Sequence, residues 1–206
     1  MGLYQRYVLP YVLDMAMSAK PITYQRRKVV PLAEGRVLEI GFGAGHNAEH
    51  YDPAKVTHLW GLEPDPGMRK RAAKRIGHLP FSFEFLGLEA ERIPLPDHSA
   101  DTVLVTYTLC SIPQVQMALE GMRRVLKPSG RLIFCEHGEA PDASVRKWQD
   151  RLQPLWGWCG GGCHLGRPIP KLITGSGFRI DNLDSMYLPS TPRFAGYNYW
   201  GTAQAA

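Results

Sequence analysis

The chain has 206 residues, of which 44% are hydrophobic, 21% charged and 10% aromatic, with a formal net charge of +5. That length suits one domain with a real core, and that balance of apolar and charged residues excludes a disordered chain. No apolar run reaches the ~18 residues of a membrane-spanning helix, and none near the start resembles a secretion signal, so a soluble, cytoplasmic protein is expected.

The elements follow in chain order. The first thirty residues read as a helical preface broken at Pro10 and Pro21. Arg36–Ile40 is a short β-branched strand that runs into Gly41-Phe-Gly-Ala-Gly45, after which a helix is expected. Val56–Leu62 is the second strand. Asp65 then caps a helix that has Pro66 at its first position and Gly77 past its end. Phe81–Leu86 and Asp101–Tyr107 are the next strands. Ser111-Ile-Pro-Gln114 reads as a capping box, followed by apolar residues at helical spacing from Val115 to Leu126. Lys127-Pro-Ser-Gly130 stops that helix before a fifth strand, Arg131–Cys135. Asp142–Gly177 reads as an irregular insertion rich in Trp and Gly. Phe178–Leu188 and Tyr197–Ala203 are strands with no helix between them, which predicts an antiparallel hairpin at the sheet edge. Alternating strands and helices give an α/β fold: a mostly parallel seven-stranded sheet with an antiparallel C-terminal strand and helices on both faces. One domain spans 1–206, with 1–30 as a helical lid and 141–177 as a substrate-side insertion.

The charge is scattered, apart from Arg26-Arg27-Lys28 and a looser set from Arg69 to Arg75. Solvated helix faces account for it, or attraction to an acidic ligand or membrane surface. No zinc-finger spacing or RNA-binding signature accompanies it, so no nucleic-acid partner is expected. Cys110 and Cys135 sit in apolar runs as small hydrophobes. Cys159-Gly-Gly-Gly-Cys163-His164 has the look of half a metal site, but no second half is legible, so no metal is expected.

The chemistry lies in the glycine loop. Gly41, Gly43 and Gly45 let the backbone approach a ligand closely. A dinucleotide loop requires glycine where His46 stands. Glu39, just before the turn, would repel a pyrophosphate and suits a ligand with an ammonium group, such as S-adenosylmethionine (SAM). Glu63, at the end of the second strand, is placed to accept hydrogen bonds from ribose hydroxyls, which fits SAM and NAD equally. Glu89 and the Ala90 N–H are placed for an adenine edge, and Thr106 ends the fourth strand at the cleft.

The order Leu38-Glu-Ile-Gly-Phe-Gly-Ala-Gly45, Glu63, Glu89-Ala-Glu-Arg-Ile-Pro94, Asp101-Thr-Val103 and Arg124-Val-Leu-Lys-Pro-Ser-Gly-Arg-Leu132 resembles the class I SAM-dependent methyltransferases, which share a Rossmann-like sheet. Cys135-Glu-His137, Trp148, Pro154-Leu-Trp156, Gly162-Cys-His-Leu-Gly-Arg167 and Gly177-Phe178 are similar to a narrower group. It holds the membrane-associated thiol S-methyltransferases of animals and bacterial phospholipid N-methyltransferase-like proteins. The resemblance implies that Glu39, Gly41, Gly43 and Gly45 cradle the methionine end of SAM and that Arg26 takes its carboxylate. It further implies that Glu63 and Pro64 hold the ribose, that Met68 packs on the adenine and Glu89 and Ala90 read its edge, and that Thr106 lines the cleft.

The expected reaction is methyl transfer from SAM to a small, largely apolar acceptor, a thiol or an amine-bearing phospholipid headgroup, by in-line displacement. His137, just after the fifth strand, is the expected general base. Tyr7, Tyr11, Tyr107, Trp148, Trp156 and Tyr197 are expected to wall the acceptor pocket, with His164 beside them. The lipid version predicts peripheral membrane contact through Arg26–Lys28 and the Tyr-rich start. The alternatives are an NAD(P)-binding oxidoreductase and a non-catalytic SAM-binding protein.

Overall fold

A computed structural model describes Tyr4 and residues 8–206; Tyr7 lies outside the described residues. The apolar runs form β1 (Gly35–Ile40), β2 (Val56–Leu62), β3 (Ser82–Leu86), β4 (Ala100–Thr106), β5 (Leu126–His137), β6 (Phe178–Tyr187) and β7 (Tyr197–Ala205). They make one sheet in the order β3-β2-β1-β4-β5-β7-β6. The first five are parallel, and β7 runs antiparallel to both neighbours. The hairpin is at the edge as expected, but its last strand is the inner one.

Around the sheet lie α1 (Leu9–Met17), α2 (Lys20–Val29), α3 (Pro66–Ile76), α4 (Val115–Val125), α5 (Ala143–Cys159), α6 (Ile169–Gly175) and α7 (Arg193–Gly196). Strand alternation sorts the core into two faces. Leu38, Ile40, Val103, Val105, Leu132 and Phe134 pack on α4 and α6. Val37, Leu59, Leu104, Ile133 and Cys135 pack on the α2 and α3 side, with Val29 and Ala72. The period of two then puts Glu39, Thr106 and His137 on the α2 face, at the carboxyl ends of three adjacent strands.

Four local expectations are corrected. Pro10 and Pro21 do not break a helix; each sits in the first turn of α1 or α2, where its missing N–H has no intrahelical acceptor in any case. No α-helix follows the glycine loop. A single 3-10 turn, Ala48–His50, stands there, because Asn47 and Tyr51 on either side turn inward to bond Glu39. Ser111 caps nothing: the first N–H before α4, on Gln114, donates to Glu91 Oε1 at 3.2 Å. Residues 142–177 are not irregular, since α5 and α6 occupy most of them. In addition, β5 starts at Leu126, so Lys127–Gly130 is strand and not a turn.

Asp65 does cap α3, accepting from the Met68 N–H at 2.8 Å. Asp65→Ala is expected to cost about 1 kcal/mol, read from the urea midpoint. Among the described residues no helix is long and apolar enough to cross a membrane.

Candidate active site

In a parallel sheet the crevice opens where strand order reverses, here between β1 and β4. A cavity of about 660 Å³ lies there. Its floor is the glycine loop and the ends of β4 and β5. Its walls are α1, α2, the end of α5 and the β6–β7 connection.

One end of the cavity is built on a buried polar chain. Glu39 is 2% exposed; its carboxylate accepts from Tyr51 Oη at 2.5 Å and from Asn47 Nδ2 at 2.9 Å. Asn47 Nδ2 also reaches Thr106 Oγ1 at 3.0 Å, and its Oδ1 accepts from Arg26 Nη1 at 3.1 Å. Burial pushes the Glu39 pKa up to about 7, although the Tyr51 and Asn47 hydrogen bonds and the Arg26 charge favour ionisation. Burial lowers the Arg26 pKa, and its guanidinium carbon stands 5.4 Å from the centre of the Tyr107 ring.

The glycine loop closes over this chain. Gly41 has φ +69°, and a Cβ there would meet the Thr108 side chain at 2.2 Å. Gly43 has φ +57°, and its Cβ would project toward Met68 Cε, 3.7 Å away. The loop is held from below by Glu63, whose carboxylate accepts from the Gly43 N–H at 2.8 Å and the Asp65 N–H at 2.9 Å. His46, where a dinucleotide loop has glycine, brings Nε2 within 2.8 Å of Asp14 Oδ1 on α1. Arg71 of α3 bonds the other Asp14 oxygen at 3.2 Å, so α1 is pinned over the loop.

The other end of the cavity is thiol-rich. His137 Nε2 lies 3.0 Å from Cys163 Sγ, and the Trp156 indole N–H donates to the same sulfur at 3.3 Å. Cys110 joins them: the Cys110 and Cys163 sulfurs and a His137 ring nitrogen all lie within 4.8 Å of one another. Burial alone would lower the His137 pKa, but the Cys163 contact raises it overall. Beneath, Glu136 Oε1 accepts from the Thr108 and Leu109 N–H groups at 2.7 and 3.0 Å, and burial pushes its pKa up to about 7.

Of the expected site residues, Arg26, Glu39, Gly41, Gly43, Met68, Thr106, Tyr107, His137 and Trp156 line this cavity. Gly45, which ends the loop, and Glu63, behind it, do not line the cavity; Glu89 and Pro64 are exposed beyond it, and Ala90 packs into the α4-side core. Four expected acceptor-side residues are not brought to it. Tyr11 is exposed with the Arg71 guanidinium 3.6 Å over its ring, and Trp148 is on the outer face of α5. His164 points outward next to Cys163, and Tyr197 lies on β7 against Tyr187 and Tyr199. Alternation explains the last case, because Asn198, the next residue, is the one that faces inward and takes the Tyr107 hydroxyl at 2.7 Å. The sequence reading missed Asn47, Tyr51 and Glu136. An acid inside the apolar run Leu132–Cys135-Glu136 was the available signal for the last. Of the Cys159–His164 stretch, Cys163 meets Cys110 and His137 from two other elements, while Cys159 and His164 stand outside that group.

The geometry fits SAM. Arg26 Nε is buried without a protein partner, on a residue that lines the cavity, and suits a carboxylate. Glu39 supplies the negative charge for an ammonium, and the space above Gly43 would be filled by any side chain there.

Comparison with known proteins agrees with the geometry. Residues 38–134 match the family described as "Methyltransferase domain". The chain is 34% identical over 173 residues to rat thiol S-methyltransferase TMT1B, covering 79% of this chain and 70% of that protein. It is 26% identical over 129 residues to phosphatidylethanolamine N-methyltransferase of Cereibacter sphaeroides, covering 60% and 63%. In fold it is similar to the methyltransferase solved with the Trm112 activator of Haloferax volcanii, with a TM-score of 0.71 at 17% identity over 96% of this chain and 95% of that one. A Rossmann-like sheet closed by an antiparallel pair, a glycine loop backed by a buried acid instead of a pyrophosphate site, and these relatives lead to one assignment: the chain is a SAM-dependent methyltransferase of class I.

Proposed function

We propose that the acceptor is a small, largely apolar thiol, methylated on sulfur. The observation that carries this reading is the placement of His137, on the cavity side of β5, at the end away from Glu39 where the walls are mostly apolar. SAM supplies an activated methyl group on a sulfonium that departs as a neutral thioether, so the chain needs no acid for the leaving group. Arg26 and Glu39 would hold the amino-acid end, Gly41 and Gly43 would let the backbone approach it, and Met68 would pack on the nucleoside side, over the loop that Glu63 braces. These contacts fix the sulfonium so that the methyl group faces the acceptor, and such positioning supplies much of the acceleration. The acceptor sulfur must shed its proton. His137, on the cavity side of β5, would serve as the general base, its Nε2 held beside Cys163. The similarity to a thiol S-methyltransferase over most of both chains supports the same acceptor.

A second reading, methylation of a lipid amine with peripheral membrane contact, draws on apolar side chains exposed on α1 (Val12, Met15), just before it (Val8) and on α5 (Leu155, Trp158). Of the basic cluster, Arg26 is buried, Lys28 packs its ammonium 4.1 Å over the Trp200 ring, and Arg27 is exposed. Methyl-labelled SAM offered with an alkyl thiol and, in parallel, with phosphatidylethanolamine vesicles separates the two. Label is expected on the thiol. Label in the lipid and none on the thiol would overturn the proposal.

A further inference from the structure

The thiol-rich end of the cavity is more elaborate than a general base requires. Two sulfurs and an imidazole nitrogen converge there from three separate elements. Cys110 comes from the β4–α4 connection, His137 from the end of β5 and Cys163 from the α5–α6 connection. Cys110 and Cys163 are 3% and 8% exposed. The supporting contacts hold the two cysteine segments together. The His164 N–H donates to the Cys110 carbonyl at 2.9 Å, and Gln153 Nε2 to the Cys163 carbonyl at 3.0 Å. Arg167 donates to the Leu109 carbonyl, next to Cys110. The Trp156 N–H on Cys163 Sγ is the kind of outer contact that stabilises a sulfur carrying negative charge.

We propose that Cys110, His137 and Cys163 bind one thiophilic divalent cation of the zinc class, with the fourth coordination position open to the cavity for the acceptor sulfur. The donor set decides the metal. Two sulfurs and one imidazole select zinc over magnesium or calcium, which need oxygen ligands. The three ligand atoms lie within 4.8 Å of one another, near enough for small side-chain shifts to seat them on one tetrahedral ion, whose zinc–sulfur and zinc–nitrogen bonds are about 2.3 and 2.0 Å. Three protein ligands with one position left is the pattern of a catalytic zinc site, whereas four would close it. Both cysteines and His137 line the cavity, so the open position faces the substrate side.

This inference rests on the thiol acceptor proposed above and replaces the general base named there: His137 becomes a ligand, and the cation takes over the ionisation of the acceptor. The incoming thiol replaces whatever occupies the fourth position, binds as thiolate and releases its proton to solvent. The sulfur lone pair then attacks the methyl carbon of SAM. The carbon–sulfonium bond breaks, and the thioether product and S-adenosylhomocysteine leave; the metal keeps its oxidation state. At pH 7 a thiol of pKa about 8.5 is only about 3% ionised, so binding as thiolate raises the reactive fraction by up to about thirtyfold.

The test uses the full chain, reduced, stripped with a chelator and titrated with Co2+ and then Zn2+. One cobalt per chain is expected, with thiolate-to-cobalt charge-transfer bands and the strong visible bands of four-coordinate cobalt, all displaced by zinc. Cys110→Ser and Cys163→Ser are expected to lose stoichiometric binding, and Cys159→Ser to retain it. Failure of the reduced wild-type chain to bind cobalt or zinc overturns the site, whatever the variants do. So does equal binding by the two serine variants. Adding an alkyl thiol is expected to shift the visible bands and strengthen the charge transfer; an unchanged spectrum overturns the open position. If the stripped chain methylates the thiol as fast as the loaded one, the metal's role falls and the thiol reading stands. If the metal binds and no thiol is methylated, the site stands and the thiol reading falls.

Discussion

SAM binding is expected to tighten about fifteenfold between pH 5.5 and pH 7, and Glu39→Gln to weaken it at pH 7 and flatten the profile. Glu39 is buried, and burial holds its pKa at about 7 against an ordinary value of 4.5. Only the carboxylate attracts an ammonium, and its fraction rises from about 3% at pH 5.5 to about half at pH 7 on that pKa. The ligand amine stays charged throughout, since an α-amino group titrates near 8. Glutamine keeps the shape and can still accept from Asn47 or Tyr51, but it carries no charge to titrate. Calorimetry at three pH values, repeated in two buffers of different ionisation enthalpy, reads both the affinity and the proton released. A wild-type profile without slope would remove Glu39 from the ammonium site. The linkage has a second consequence with a fixed sign. The folded pKa lies above the unfolded one, so the ligand-free fold holds more protons than the unfolded chain between about pH 4.5 and 7 and loses stability as pH rises through that window. Glu136, also near 7, adds to the same trend.

Gln149→Leu is expected to destabilise the chain by about 4 kcal/mol and lower Tm by about 10 °C. Gln149, on the inner face of α5, is 1% exposed. Its carbonyl accepts from the Ala140 N–H at 3.1 Å. Its amide donates to the carbonyls of Gly138 and Leu165 at 3.0 Å each and of Phe194 at 3.1 Å. One side chain thus ties α5 to the end of β5, to the loop after Cys163 and to α7. Leucine has nearly the same volume, so the packing term is small. The cost comes from the Ala140 N–H and the carbonyls that share the two amide hydrogens, left unpaired together, at about 1–3 kcal/mol for each bond lost. Trp148→Ala, one residue earlier but 57% exposed, is the contrasting variant, expected within about 1 kcal/mol of wild type. Thermal unfolding followed by circular dichroism checks both. A Gln149→Leu shift below about 2 °C would show that the polar junction does not hold this end of the cavity together.

The parts of this protein legible in its sequence are those governed by short-range physics. Strand runs of period two, Asp65 with Pro66, and a glycine loop preceded by Glu39 all declare themselves within a few residues, and together they determine the α/β sheet and the SAM-type cradle. Local rules failed where a distant partner took over a local role. Glu91 supplies the bond that the Ser111 capping box was expected to make, and Glu39 draws in Asn47 and Tyr51, leaving a 3-10 turn where a helix was expected. Which face a side chain takes was likewise unreadable: Tyr197 and Trp148 face out, while Asn198 and Gln149, each one position on, face in. The convergence of Cys110, His137 and Cys163 was the least visible of all. These residues are up to 53 positions apart, and only the strand order and the contacts under the α5–α6 loop bring them to one point. Sequence separation carries no information about such a meeting, because it depends on which strands are neighbours and on how the connections above them are pinned.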